Sequence, residues 1–158
     1  MRTVLLRMHV PARPAADVYR TLTDFARYPE LSPAVRSVTV TEVDDVTSVS
    51  SWEVTFRAGI LRWTEQDRFD RAAHTITFAQ TEGDIPVFDG SWRCADVTGG
   101  SDVVFTARLD LGIPSLADAL EPIAVRALVD NTVSIVTGLV GAVDVVDTEV
   151  GVLSGSAA

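Results

Sequence analysis

Two carboxylates two residues apart stand out in a segment that otherwise alternates as a β-strand. In the run RWTEQDRFD, Glu65 and Asp67 share a face with Trp63 and Phe69, because every second side chain of a strand points to the same side. The aromatic residues predict that this face is buried. Buried carboxylates are costly unless they are paired or hydrogen-bonded, and burial raises the pKa of at least one of them toward neutrality.

A carboxyl group tuned in this way can remove a proton next to a carbonyl group or protonate a leaving hydroxyl. Enolisation, aldol closure and dehydration need those steps. The sequence therefore predicts Asp67 as the proton-moving group, with Glu65 on the same wall of a cavity. The alternative is that these carboxylates lie near the cavity mouth, solvated or paired with a neighbouring arginine.

Candidate substrate-binding residues come from the neighbouring segments. The period-two count puts Phe78, Gln80 and Glu82 on one face of the next strand, and it turns Trp92 and Phe105 inward from the two strands after it. Side chains at helical spacing add candidates that could equally serve only as core. The predicted set is Tyr28, Trp63, Phe78, Gln80, Glu82, Trp92, Phe105, Asn131 and Ser134.

Composition limits the partners. The 158 residues fit one domain, and the net charge of −9 disfavours nucleic acid and anionic membrane surfaces. The single cysteine, Cys94, excludes an intramolecular disulfide and a cysteine metal cluster, and the two histidines, His9 and His74, are too few for an ordinary zinc site. We expect no metal and no cofactor.

Two observations bear on location. Arg7 and His9 interrupt the apolar N-terminal residues, which argues against a secretory signal. The uncharged stretch at 131–143 is too short to span a bilayer. The expectation is a cytoplasmic protein without membrane insertion, and the sequence leaves open whether the chain forms a homodimer.

The order of elements is distinctive. Two short helices are predicted between the first two strands, a long helix spans 122–146, and residues 149–158 form a disordered tail to a single domain at 1–148. Short turns between the strands imply an antiparallel sheet in an α+β domain, and a sheet bent round a terminal helix encloses a cavity. The predicted strands are 3–10, 35–43, 49–57, 60–69, 75–82, 88–97 and 103–111.

Several runs are similar to one known superfamily. PARPAADVYRTLTDFARYPEL, RWTEQDRFD, TEGDIPVFDGSWR and DNTVSIV resemble segments of START-like (SRPBCC, helix-grip) polyketide cyclase and coenzyme-Q-binding proteins, over roughly residues 3–145. The resemblance implies a helix-grip fold of about seven strands around an apolar ligand cavity. The aromatase/cyclases of this fold carry cavity arginines at positions where this sequence has Asp67 and, nearby, Gln80. Asn131 matches an asparagine in their long helix.

The resemblance implies a polyketide cyclase or aromatase-like enzyme, free of cofactors, that promotes cyclisation or dehydration of a polyketide-derived intermediate. Its hydrophobic substrate could be tethered to a carrier protein. A second hypothesis is a non-catalytic carrier for a quinone, lipid or polyketide. A third is a START domain that acts through protein contacts. Inward carboxylates favour the enzyme, and the missing arginines favour the carrier.

Overall fold

The elements follow the predicted order with one strand more. A computed structural model describes residues 1–56, 59–112 and 114–152. Its elements are β1 (Arg2–Pro11), α1 (Ala15–Leu22), a 3-10 turn (Phe25–Arg27), α2 (Tyr28–Leu31), β2 (Val35–Glu42), β3 (Thr47–Phe56), β4 (Gly59–Asp70), β5 (Thr75–Gly83), β6 (Val87–Val97), β7 (Gly100–Asp110), α3 (Pro114–Val140) and β8 (Asp144–Val152).

All eight strands form one antiparallel sheet in the order β2-β3-β4-β5-β6-β7-β1-β8. The alternation of apolar and polar residues explains this sheet, because one face is buried along β1 and β7 at every second position. The long helix α3 packs on that face together with the short helices. The predicted α+β helix-grip class is confirmed.

The C-terminal predictions need three corrections. The long helix begins at Pro114 and ends at Val140, so the predicted span of 122–146 is wrong at both ends. Gly141 ends it, with a φ of 89° and an amide that donates to the Thr137 carbonyl oxygen, a geometry that favours glycine. Residues 149–152 belong to β8 rather than to a tail. Residues 153–158, like the predicted strand end at Arg57, lie outside the described residues.

The strand β8 is the eighth strand, where about seven were expected. It pairs with β1, so β1 is not an edge. Its sequence, DVVDTEVGV, alternates poorly, and most of its side chains are exposed. The predicted helix absorbed the beginning of this strand because Val143, Val145 and Val146 fit an apolar helix as well as a strand.

A bulge corrects the prediction for Glu82. The pairing of β4 with β5 shifts between Thr64 and Glu65: Glu65 lies opposite Gln80, whereas Thr64 lies opposite Glu82. One extra residue on β5 reverses the faces beyond it. Glu82 therefore shares the outer face with Thr64 and is exposed, so the period-two count fails at this position.

The helix face also differs from the prediction at Ser134, which is exposed. Residues two apart on a helix point about 200° from each other, so Ser134 lies opposite the buried Thr132 and Val136. Apolar residues occur on every side of this helix, so the sequence alone does not show which face is buried. The segment Leu120–Val140 is long and apolar enough to cross a bilayer, with a mean hydropathy of 1.5, and in the structure it lies in the helix that closes the sheet.

Candidate active site: a buried acid pair beside an aromatic cavity

Between the sheet and α3 lies a cavity of about 130 Å³. Its walls come from the 3-10 turn, α2, six strands and α3, and they are mainly aromatic and aliphatic. An apolar cavity of roughly 150 Å³ holds one benzene-sized molecule, so the space fits a single ring without movement of the walls. The aromatic lining residues are Phe25, Tyr28, Trp52, Phe56, Trp63, Phe78, Phe88, Trp92 and Phe105.

Glu65 is the carboxylate that lines the cavity. It is 4% exposed, and Asp67, two residues further along the inner face of β4, is 0% exposed. Asp67 lies on the predicted face, but it is not part of the cavity wall. The two carboxyl groups are close enough to shift each other's pKa. Together they are named here the acid pair. Glu65 borders the cavity, and Asp67 does not.

Two tryptophans hold the acid pair in place. The Trp63 indole N–H donates to Glu65 Oε1 at 2.8 Å. The Trp52 indole N–H donates to Ser50 Oγ at 2.8 Å, and Ser50 Oγ donates to Asp67 Oδ2 at 2.6 Å. The two indoles lie opposite each other on β3 and β4 and stack with an interplanar angle of 2°. Each carboxyl group therefore has its own fixed donor, which orients it.

Burial decides the protonation of the pair. It raises the pKa of Glu65 well above its usual value, and the hydrogen bond to Asp67 and the charge of Asp67 raise this pKa further, against a lowering by Trp63. Burial also raises the pKa of Asp67, while the hydrogen bonds from Glu65 and Ser50 lower it. These effects favour Glu65 over Asp67 as the carrier of a proton within the pair.

Burial also favours the protonated form of two other titratable groups in this part of the fold, Tyr28 and Cys94. Burial raises the pKa of the Tyr28 hydroxyl, as do the charges of Glu65 and Asp67, and this hydroxyl donates to the Leu22 carbonyl oxygen at 2.6 Å. Burial raises the pKa of Cys94 to about 12, which keeps its thiol protonated. The acid pair is the proton-carrying group that meets the cavity.

The cavity brings together most, but not all, of the predicted site residues. Those that line it are Tyr28, Trp63, Glu65, Phe78, Trp92, Phe105 and Asn131. Four others do not: Asp67 is buried but is not part of the cavity wall, Gln80 is half-buried and its Oε1 has no hydrogen-bond partner among the described residues, and Glu82 and Ser134 are exposed. The catalytic and binding roles of the lining residues stay predictions.

Sequence reasoning missed the serine that fixes Asp67. Ser50 and Ser48 precede Trp52 at spacings of two, so all three share the inner face of β3, and all three are buried. Small polar residues in line with an inward tryptophan were the available signal. Their type alone predicts no reaction, because a serine without a nearby base is a weak nucleophile.

Among the described residues, no three of His, Cys, Asp and Glu come close enough together to hold a metal ion. In that part of the chain, the acid pair offers two carboxyl groups without a third such ligand beside them.

A long helix gripped by a curved antiparallel sheet, with a cavity between them, defines the START-like helix-grip class. The chain belongs to the polyketide cyclase/dehydrase and lipid transport family, whose model matches residues 11–133. A comparison with curated protein sequences finds no match.

Solved structures share this fold. The protein TTHA0849 from Thermus thermophilus is similar with a TM-score of 0.76 and 24% identity, over 85% of this chain and 93% of that one. The Zhui aromatase/cyclase from Streptomyces sp. R1128 has a TM-score of 0.73 and 19% identity, over 88% and 92%. A START superfamily protein from Mycobacterium smegmatis has a TM-score of 0.70 and 12% identity, over 87% and 97%. At these identities the likeness concerns the fold.

Proposed function

We propose that this chain is a cofactor-independent cyclase or dehydratase for a compact, ring-forming carbonyl compound of the polyketide type, with the acid pair as its proton-moving group. The observation that carries the proposal is the place of Glu65: a buried carboxyl group at the cavity wall, with a second buried carboxyl group, that of Asp67, two residues further along the same strand. The family includes cyclases and dehydrases by its description.

The role predicted for Asp67 passes to Glu65 in this proposal, because a general acid or base must reach the atom whose proton it moves. Asp67 acts through Glu65. When the shared proton resides on Asp67, Glu65 is a base, and when it resides on Glu65, Glu65 is an acid. One side chain at the cavity thus serves both halves of a dehydration.

Dehydration takes two proton transfers at Glu65. The shared proton first moves from Glu65 to Asp67. Glu65, now a carboxylate, takes the proton next to the substrate carbonyl, the C–H bond breaks, and the pair then holds two protons. Glu65 next protonates the β-hydroxyl group, water leaves, and the C=C bond forms. The pair returns to one proton. Asn131 on α3 lines the cavity, and its amide N–H can donate to the carbonyl oxygen, which bears the charge of the enolate.

The test compares two variants of the same chemistry. Glu65→Gln keeps the shape of the side chain and removes its proton transfer, so dehydration of an aromatic β-hydroxy ketone should fall about a hundred- to ten-thousand-fold. The matched control is Glu82→Gln, on the outer face of β5, which should retain full turnover. Product is measured by the absorbance of the new conjugated C=C bond. Full turnover by Glu65→Gln would contradict the proposal.

A non-catalytic carrier is the second candidate, and a specific observation favours it. Among the described residues that line the cavity, none is Lys, Arg or His, so no cation there polarises a carbonyl group. In this case a neutral aromatic ligand binds the wild-type chain and Glu65→Gln with similar affinity, and neither converts a carbonyl substrate.

A further inference from the structure

A second pocket, named here the outer pocket, lies on the same face of the sheet as the cavity, beyond the acid pair along β4. It is formed by α1, the residues around the β2–β3 loop and the β4–β5 turn. Phe25 lines both the outer pocket and the cavity, so this ring is part of the wall between them. Along the inner face of β4, Glu65 meets the cavity and Phe69 meets the outer pocket. Asp67 stands between these two residues.

The polar groups on this wall are serines and Asp67. Ser48 is buried, lines the outer pocket and lies directly opposite Asp67 in the pairing of β3 with β4. The Cβ atoms of directly opposed residues in an antiparallel pair are about 5 Å apart, so the Ser48 hydroxyl can reach Asp67 directly or through one water. Asp67 Oδ2 accepts from Ser50, whereas Asp67 Oδ1 has no hydrogen-bond partner among the described residues.

The outer pocket is polar where the cavity is apolar. Tyr19 is 6% exposed, lines this pocket and has a hydroxyl without a hydrogen-bond partner in the described part of the chain. The Tyr19 ring packs against His74, with 5.6 Å between the ring centroids. Charged and titratable groups surround the pocket from every element that forms it: Arg20, Glu42, Asp44, Asp45, Arg71 and His74. Such a pocket holds water, which the cavity excludes when an apolar ligand fills it.

We propose that Ser48 and the outer pocket form a proton route that connects the acid pair with solvent without passing through the cavity. A proton leaves Asp67 for water in the outer pocket through the Ser48 hydroxyl, which accepts one proton and releases another, and only O–H bonds form and break. The reverse path returns a proton to the pair when it has lost one to solvent. The route thus keeps Glu65 supplied while the cavity is occupied.

The inference extends the proposed function, but its test needs no substrate. The protonated carboxyl group of the pair has a C=O stretching band in the infrared, which shifts when its proton is exchanged for deuterium, and loss of the band in Glu65→Gln assigns it. Transfer into D2O then gives the exchange rate. The exchange rate tests the proton route, and the turnover of Glu65→Gln tests the proposed function, so each hypothesis can be rejected without the other.

The decisive comparison uses two side chains of the same shape. Ser48→Thr keeps the hydroxyl and should exchange at about the wild-type rate. Ser48→Val has the same shape as Ser48→Thr but lacks the hydroxyl. Its exchange should be at least roughly tenfold slower, because the relay loses one hydrogen-bonded group. Ser51→Val, at the exposed neighbour on β3, is the control and should exchange as the wild type does.

A second arm does not depend on the folding of any variant. Wild-type protein saturated with toluene has its cavity filled, and the route predicts that the band still exchanges at the rate of the empty protein. If toluene blocks the exchange, or if Ser48→Val exchanges as fast as Ser48→Thr, protons reach the pair through the cavity and the proposed route is wrong.

Discussion

At the scale of single residues, strand periodicity located the acid pair but not the division of labour within it. Trp63 and Phe69 on the same face predicted that Glu65 and Asp67 point inward, and both are buried. Which carboxyl group borders the cavity depends on where α3, α2 and the curved sheet leave space, and no local pattern encodes that. The correction from Asp67 to Glu65 follows from this packing.

The acid pair should make stability depend on pH in a defined direction. Because the folded chain raises the pKa of Glu65, the folded state binds this proton more tightly than the unfolded state. The resulting stabilisation is fully present below the usual pKa of 4.5 and is lost as the pH rises through the raised value. Glu65→Gln has no such proton to lose.

The measurement is the free energy of unfolding in urea at a series of pH values above 4.5. The stability of Glu65→Gln minus that of the wild type should increase by up to about 1.36 kcal/mol per pH unit until the Glu65 pKa is passed. Glu82→Gln, exposed on the outer face, should show no such trend. A difference that stays constant across this window would mean that Glu65 is ionised in the folded state.

At the scale of elements, the sequence predicts the strands and helices that have a regular apolar pattern, and it does not predict the bulge or the strand that lacks one. Seven strands and the short helices were predicted because their alternation and turn residues are local signals. The bulge on β5, opposite Thr64 and Glu65, has no local sequence signal, because it depends on how β5 pairs with β4. Strand β8 was hidden because its valines continue the apolar character of α3, although Gly141 marked the end of the helix.

Gly83, at the end of β5, lies next to the bulge and opposite Trp63. Its φ is 142°, and a Cβ atom added there would lie 2.5 Å from the Cα of Trp63, the residue that orients Glu65. Gly83→Ala should therefore destabilise the fold by more than backbone strain alone. The control is Gly99→Ala, whose φ of 84° is also unfavourable but whose added Cβ meets nothing within 4 Å.

We expect a loss of about 1–2 kcal/mol for Gly99→Ala, the cost of a left-handed backbone, and a larger loss for Gly83→Ala in urea unfolding. Gly83→Ala should also change the tryptophan fluorescence, because Trp63 must shift. Equal losses in the two variants would show that β5 relaxes away from Trp63 without cost.

At the scale of the whole molecule, charge is arranged so that both the surface and the cavity disfavour anions. The chain carries a net charge of −9, and the carboxyl group on the described cavity wall is Glu65, with Asp67 buried beside it. Composition predicted the surface. It could not predict the cavity, since that required knowing which faces of six strands and of α3 meet.

This arrangement predicts selectivity among ligands of one size. Toluene, benzamide and benzoate each present a single ring to a cavity of about 130 Å³, but only benzoate brings a negative charge beside the acid pair. Burial of an anion without a cation is opposed by desolvation and by repulsion from the pair. Benzoate should therefore bind at least about a hundredfold more weakly than benzamide at pH 7, a difference of about 2.7 kcal/mol.

Quenching of tryptophan fluorescence measures the binding, because Trp52, Trp63 and Trp92 all line the cavity. Benzoate binding as tight as that of benzamide would mean that a cation reaches the bound ring, and a substrate with an anionic or enolate group would then fit the site.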